Sequence, residues 1–245
     1  MIKLRFLRAL FILLMVSNSS FVNAKQVELS RISTEEGLSL GFVTKIVQDV
    51  DGFIWIGTEM GLNRYDGYDI YIVKGPNDVL ERENIIELFS DKSGNIWIGT
   101  QASGIYSFNT RKGVFKHFKW PKSESQKRKI HFSVAITQQN NGAILLASED
   151  KIYSLKDQDS LFTQLIDFEP ILKEGDEIQD LTIHKSILYI LTTSSLYLYN
   201  YHDKKLKVLA HLDNDNGQVT SGNLRALIVA NDTLWLASDQ GMFSL

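Results

Sequence analysis

No cysteine occurs in the 245 residues. That absence rules out a disulfide scaffold, a thiol nucleophile and a lipidated N-terminal cysteine, so an oxidising compartment makes no demand on the fold. An excess of basic charge is also missing. The formal net charge is -3, which leaves no field to hold nucleic acid. The single Lys-rich stretch, Lys122 to Lys129 (KSESQKRK), is broken by Ser, Glu and Gln and reads as a solvated loop. After the first two dozen residues no apolar run approaches the roughly 20 residues that span a bilayer. Helical periodicity is absent from the same stretch.

Catalytic signatures are missing as well. His117, His131, His184, His202 and His211 show no metal-ligand spacing, and neither a G-x-S-x-G elbow nor a phosphate-cradling glycine loop occurs. The sequence therefore gives no ground for a metal, a cofactor or an enzymatic activity. A pair of carboxylates placed for glycoside hydrolysis, roughly 5–10 Å apart, is not signalled either.

What is present begins with an export signal. Lys3, Arg5 and Arg8 precede an unbroken apolar run, Ala9 to Val16, and a polar stretch ends Val22-Asn23-Ala24. This basic, apolar and small-x-small succession reads as a signal peptide over residues 1–24, with a periplasmic destination. The remaining chain, 25–245, is long enough to bury a core as one all-β domain.

That domain is repetitive. Asp49 to Thr58 (DVDGFIWIGT) is matched by Asp91 to Thr100 (DKSGNIWIGT), so Asp49, Gly52, Trp55, Gly57 and Thr58 answer to Asp91, Gly94, Trp97, Gly99 and Thr100. With the Trp position as a ruler, fainter copies fall at Leu145, Tyr189 and Trp235, at steps of 42, 48, 44 and 46 residues. Five copies at a period in the forties predict a β-propeller of four-stranded blades. Each copy reads as an antiparallel meander: an alternating inner strand, a D-x-x-G turn, an apolar second strand, a third strand and a more polar outer strand. The blades fall at about 34–74, 75–121, 122–168, 169–212 and 213–245. The fifth ends after its third strand, and the alternating segment 27–32 is a candidate to supply the fourth and close the ring. A five-blade ring and a fragment of a larger propeller both satisfy this arithmetic.

The residues that carry the repeat resemble the two-component regulator propeller family. Glu36-Gly37-Leu38-Ser39 ahead of the first inner strand, then Asp49 to Asp66, carry the likeness, with a close second copy at Asp91 to Phe108 and a degraded one in the fifth blade. The resemblance implies the periplasmic sensor region of a receptor whose membrane-anchored kinase or cyclase output domain follows. It also implies a propeller of seven blades, of which the five would be a fragment, a small-molecule or oligosaccharide ligand, and a homodimer in the receptor context. Neither a kinase nor a cyclase motif occurs in these residues, so a chain truncated before its output domain is expected. A propeller acting as a protein-interaction platform is the alternative reading, and a glycan-active enzyme a more distant one.

The loops before each first strand and between strands two and three emerge on one face around the axis. On that face Phe42, Glu59, Asn84, Gln101, His131, Glu149, Asn223, Arg225 and Asp239 are the candidate ligand-binding residues. Trp235, with the Asp, Gly, Trp and Thr residues of the first two copies, is expected to be structural.

Overall fold

The computed structural model describes residues 30–121, 134–148, 150–156, 161–173, 176–211 and 224–244. The export signal and the first half of the candidate closing strand at 27–32 lie outside these residues; Ser30 to Ile32 are not in a strand. The fold is a five-bladed β-propeller built from consecutive antiparallel meanders.

Blade one comprises β1 (Val43–Gln48), β2 (Ile54–Thr58), β3 (Gly61–Tyr65) and β4 (Ile70–Val73). Blade two comprises β5 (Ile85–Ser90), β6 (Asn95–Thr100), β7 (Ile105–Asn109) and β8 (Val114–Phe118). Blade three holds β9 (Val134–Gln138), β10 (Ile144–Ser148), β11 (Lys151–Leu155) and β12 (Thr163–Asp167). Blade four holds β13 (Ile178–His184), β14 (Ile187–Thr192), β15 (Ser195–Asn200) and β16 (Lys205–His211). Blade five has three strands among the described residues: β17 (Leu224–Ala230), β18 (Thr233–Ser238) and β19 (Gly241–Ser244).

The repeated letters each have a local cause. Asp49 Oδ1 accepts from the backbone N–H groups of Asp51 and Phe53, which folds the turn, while Oδ2 accepts from the Trp55 indole at 2.8 Å. Asp91 repeats the arrangement with Ser93, Asn95 and the Trp97 indole at 2.9 Å. One carboxylate thus shapes the turn and satisfies a buried indole N–H, which would otherwise be costly to desolvate. Gly52 and Gly94 take φ of 94° and 80° in those turns, a region where a side chain is strained.

The hydroxyl that ends the second strand caps the next turn. Thr58, Thr100, Thr192 and Ser238 each donate to a carbonyl of the turn, that of Gly61, Gly104, Ser195 or Gly241, and accept a backbone N–H from within it.

The small residue before it admits a neighbour. A Cβ on Gly57 would sit 2.8 Å from Cγ2 of Ile85 in the next blade. At Gly99 the neighbour is Glu87 Cβ of the same blade, at 3.0 Å, with Val134 of the next blade at 3.7 Å. At both glycines the nearest atoms belong to side chains.

Packing runs blade to blade. Trp55 and Leu62 meet Ile85, Leu88, Ile96 and Tyr106; Trp97 and Phe118 meet Val134, Ile136, Ile144 and Leu146. Leu145 and Ile152 meet Leu181, Leu188 and Ile190, and Leu191 and Leu196 meet Leu224, Leu227 and Leu236. Four such clusters join five blades. The face that blade five would turn to a following blade carries Ile228, 60% exposed, and Trp235, 37% exposed, whereas Trp55 and Trp97 are 1% and 5% exposed. On the opposite side of the array, Ile46 of β1 is 64% exposed. Among the described residues, the outward faces of the first and last blades thus keep large apolar side chains exposed.

Two 3₁₀ turns depart from the expectation of no helical structure: Thr34–Glu36 and Pro76–Glu81. The first is too short for periodicity, but Ser33 and Glu36 form a reciprocal capping box around it. The chain beyond it covers part of blade one: Leu38 is buried, and Ser39 N–H donates to Asn63 Oδ1 at 3.0 Å. In the second, Pro76 opens the turn and Leu80 is fully buried against blade one.

Candidate functional site

The face expected to carry function assembles as the connectivity dictates. Each inner strand starts beside the turn between strands two and three of its own blade, so paired loops stand together. In blade two Gln101 N–H donates to the Asn84 carbonyl at 2.9 Å, and Asn84 Nδ2 lies 3.5 Å from Gln101 Oε1. Asn84 Oδ1 is buried with no donor among the described residues. In blade five Arg225 Nε donates to Asp239 Oδ1 at 2.9 Å, with Nη2 3.3 Å from Oδ2, and both residues are exposed. In blade one Phe42 and Glu59 are both exposed, Phe42 immediately before β1 and Glu59 in the turn after β2. His131, Glu149 and Asn223 lie outside the described residues.

The structure adds residues to this face that the sequence did not single out. Glu83 accepts from Ala102 N–H and from the Ser103 hydroxyl. Asp176 takes the corresponding place in blade four, where it accepts from the hydroxyls of Thr192 and Ser194. An acid two residues before an inner strand was a readable signal in both blades. In blade four the loop before the inner strand is short, because Ile178 and Gln179 already belong to β13. Ile178 is drawn into the strand by burial against the core between blades three and four. In blade three, Lys151 is nearly buried and lies 3.5 Å from each of Asp150, Asp167 and Glu169.

Just inside the loops, three inner strands bring charges together. Lys45 Nζ of β1 lies 2.9 Å from Glu87 Oε2 of β5. Asp180 of β13 accepts from Leu227 N–H of β17 at 2.8 Å and acts electrostatically on both Lys45 and Glu87. Burial pushes the Glu87 carboxyl up to about 7 despite the attraction of Lys45, and burial also raises Asp180. All three follow an irregularity in the register between the first and second strands of their blades. Sequence alternation alone does not reveal them. Among the described residues no group of His, Cys, Asp or Glu is arranged to hold a metal ion.

Fold and repeat together define a β-propeller whose first two blades share one Asp-to-indole turn. Residues 37–60 match the family described as two component regulator propeller, so the chain carries that repeat in blade one, where Glu36 to Asp66 had pointed. Among solved structures it is similar to the extracellular domain of a protein of B. thetaiotaomicron named as a hybrid two component system. The two are 23% identical over 88% of this chain and 30% of that one, with a TM-score of 0.67. It is also similar to streptogramin B lyase, 17% identical over 83% of this chain and 68% of that one, at a TM-score of 0.60. The virginiamycin B lyase of Staphylococcus aureus aligns at 15% identity over 83% and 69%, at 0.59. At these identities the likeness establishes the fold. The chain spans less than a third of the length of the B. thetaiotaomicron domain. No curated protein matches the sequence.

Proposed function

We propose that this chain is a ligand-sensing propeller module of an extracytoplasmic signalling receptor. The observation that carries the reading is the two component regulator propeller repeat at residues 37–60, set in a propeller whose paired loops gather polar side chains on one face. The similarity to an extracellular domain supports an exported location, and among the described residues no helix is long and apolar enough to cross a membrane. In this reading Phe42, Glu59, Asn84, Gln101, Arg225 and Asp239 offer hydroxyl-binding amides and charges, with an aromatic ring beside them. That combination suits an oligosaccharide. The signal passes to a membrane-anchored kinase or cyclase domain joined to the module.

Rigid loops of this kind bind without large rearrangement, so occupancy is readable as added stability. A ligand at 100 times its Kd adds about 2.7 kcal/mol. Thermal unfolding against an oligosaccharide panel is expected to show such a shift for one glycan class, reduced by Asn84→Ala with Gln101→Ala. No shift with any glycan, together with capture of a defined protein partner, would replace this reading with that of an interaction platform.

A further inference from the structure

A cleft opens away from those loops. It occupies about 660 Å³ between blades two and three, on the side of the turns that join strands one and two, a size typical of small-ligand sites. Its floor is a row across blade two. Trp97, Ser107 and Lys116 stand opposite one another on β6, β7 and β8, so they share the face turned to blade three. Blade three covers the inner half of that face through Ile136, Ile144 and Leu146. The outer half is left as the cleft.

The charge inside is one-sided. Among the described residues Arg111, Lys112, Lys116 and Lys156 line it, against a single carboxylate, Asp91. Both Asp91 oxygens are already taken by two backbone N–H groups, the Asn95 amide and the Trp97 indole. Arg111 reaches only the exposed Asp51, at 3.5 Å. Lys112, Lys116 and Lys156 have no carboxylate partner among the described residues. Ser107 is 6% exposed, lines the cleft and has no hydrogen-bond partner among the described residues. Behind these groups Asn95 and Asn109 are locked by mutual and backbone bonds, which fixes the wall. Among the described residues, a chain of net charge -3 thus keeps four cations and an unpartnered buried hydroxyl around one concavity.

We infer that this cleft is a second binding site, for a small polyanionic sugar bearing carboxylate or sulfate groups. The anionic groups pair with Lys112, Lys116 and Lys156, and Ser107 bonds a hydroxyl or an anion oxygen at the floor. Lysines on flexible stems accept either anion geometry, whereas a bidentate arginine clamp would favour one. The site is independent of the loop face.

Isothermal titration of the purified chain with trigalacturonate, sucrose octasulfate and neutral maltotriose tests it. One charged sugar is expected to bind saturably at one to one, more weakly as salt is raised, with no matching signal from maltotriose. Trigalacturonate and sucrose octasulfate separate carboxylate from sulfate preference. Lys116→Gln with Lys156→Gln should raise Kd by roughly tenfold or more without moving the melting temperature, since both side chains are exposed. Asn84→Ala with Gln101→Ala on the loop face should leave that Kd unchanged. The inference fails if neither charged sugar binds, or if the lysine variant binds as tightly as the parent. Loss of binding in the loop-face variant alone would also overturn it, while leaving the sensing proposal intact.

Discussion

Asp91 holds a turn and an indole with one carboxylate, and its loss strands several donors at once. Asp91→Ala leaves the Trp97 indole N–H and two backbone N–H groups without their acceptor. Hydrogen bonds to a charged group are worth about 1.5–3 kcal/mol, so denaturant unfolding should show a loss of at least ~2 kcal/mol. An unchanged midpoint would mean that water replaces the carboxylate. Glu87 behaves differently because its burial disfavours charge. Its carboxyl stands at about 7 in the fold, against 4.5 as the ordinary value. Between those values the unfolded chain has released the proton and the folded chain still holds it. Deprotonation therefore favours unfolding, and this group's contribution makes stability fall as pH rises from about 4.5 to 7. Its full size is ~3 kcal/mol at most. Glu87→Gln removes that component, so the wild-type-minus-variant stability should decline across the window and level off above it. A flat difference would show that Lys45 keeps Glu87 ionised throughout.

At the scale of the strand, the same letter in the repeat has two energetic meanings. Trp97 fills the seam between blades two and three, stacked on Phe118 at 5.5 Å. Trp235 occupies the equivalent position in β18 but is 37% exposed. Trp97→Ala should cost about 3–5 kcal/mol as a buried aromatic replaced by a cavity, and Trp235→Ala well under half of that. Urea midpoints of the two variants provide the comparison, and equal losses would contradict the exposure of the fifth blade. The strands were legible because turn, aromatic and hydroxyl recur in register, each with a local cause that the sequence displays. The fourth inner strand, Ile178–His184, was not, since its segment lacks the Asp turn and depends on burial of Ile178 and Leu181 by blade three. Of the loop-face residues, the Asn84–Gln101 and Arg225–Asp239 pairs followed from meander connectivity alone. Glu87 and Asp180 did not, because they come together only through contacts between residues 42 to 135 positions apart. The cleft was equally hidden: Lys116 and Lys156 read as ordinary charges on an outer strand and a turn until blades two and three are set side by side.

Across the whole molecule, each blade is held by its neighbours and by little else. Four apolar seams join five blades, and the outward faces of the first and last remain exposed. Stability in such an array is approximately a sum of blade and seam terms, so the interior blades, with two seams each, are held more firmly than the ends. Native-state hydrogen exchange should resolve this as a gradient. Amides of β6, β10 and β14, whose side chains are buried on both faces, are expected to open only with the largest free energies. Those of β17 and β18 should exchange through cheaper local openings, because only the face turned to blade four is covered. β1 should resemble them on its Ile46 side. If the end blades proved as protected as β10, their exposed faces would have to be covered in solution, and the array would behave as a closed unit. A binding event in the cleft between blades two and three would act on this same gradient, since it would bridge two interior blades and raise the protection of β7 and β8 without reaching β17.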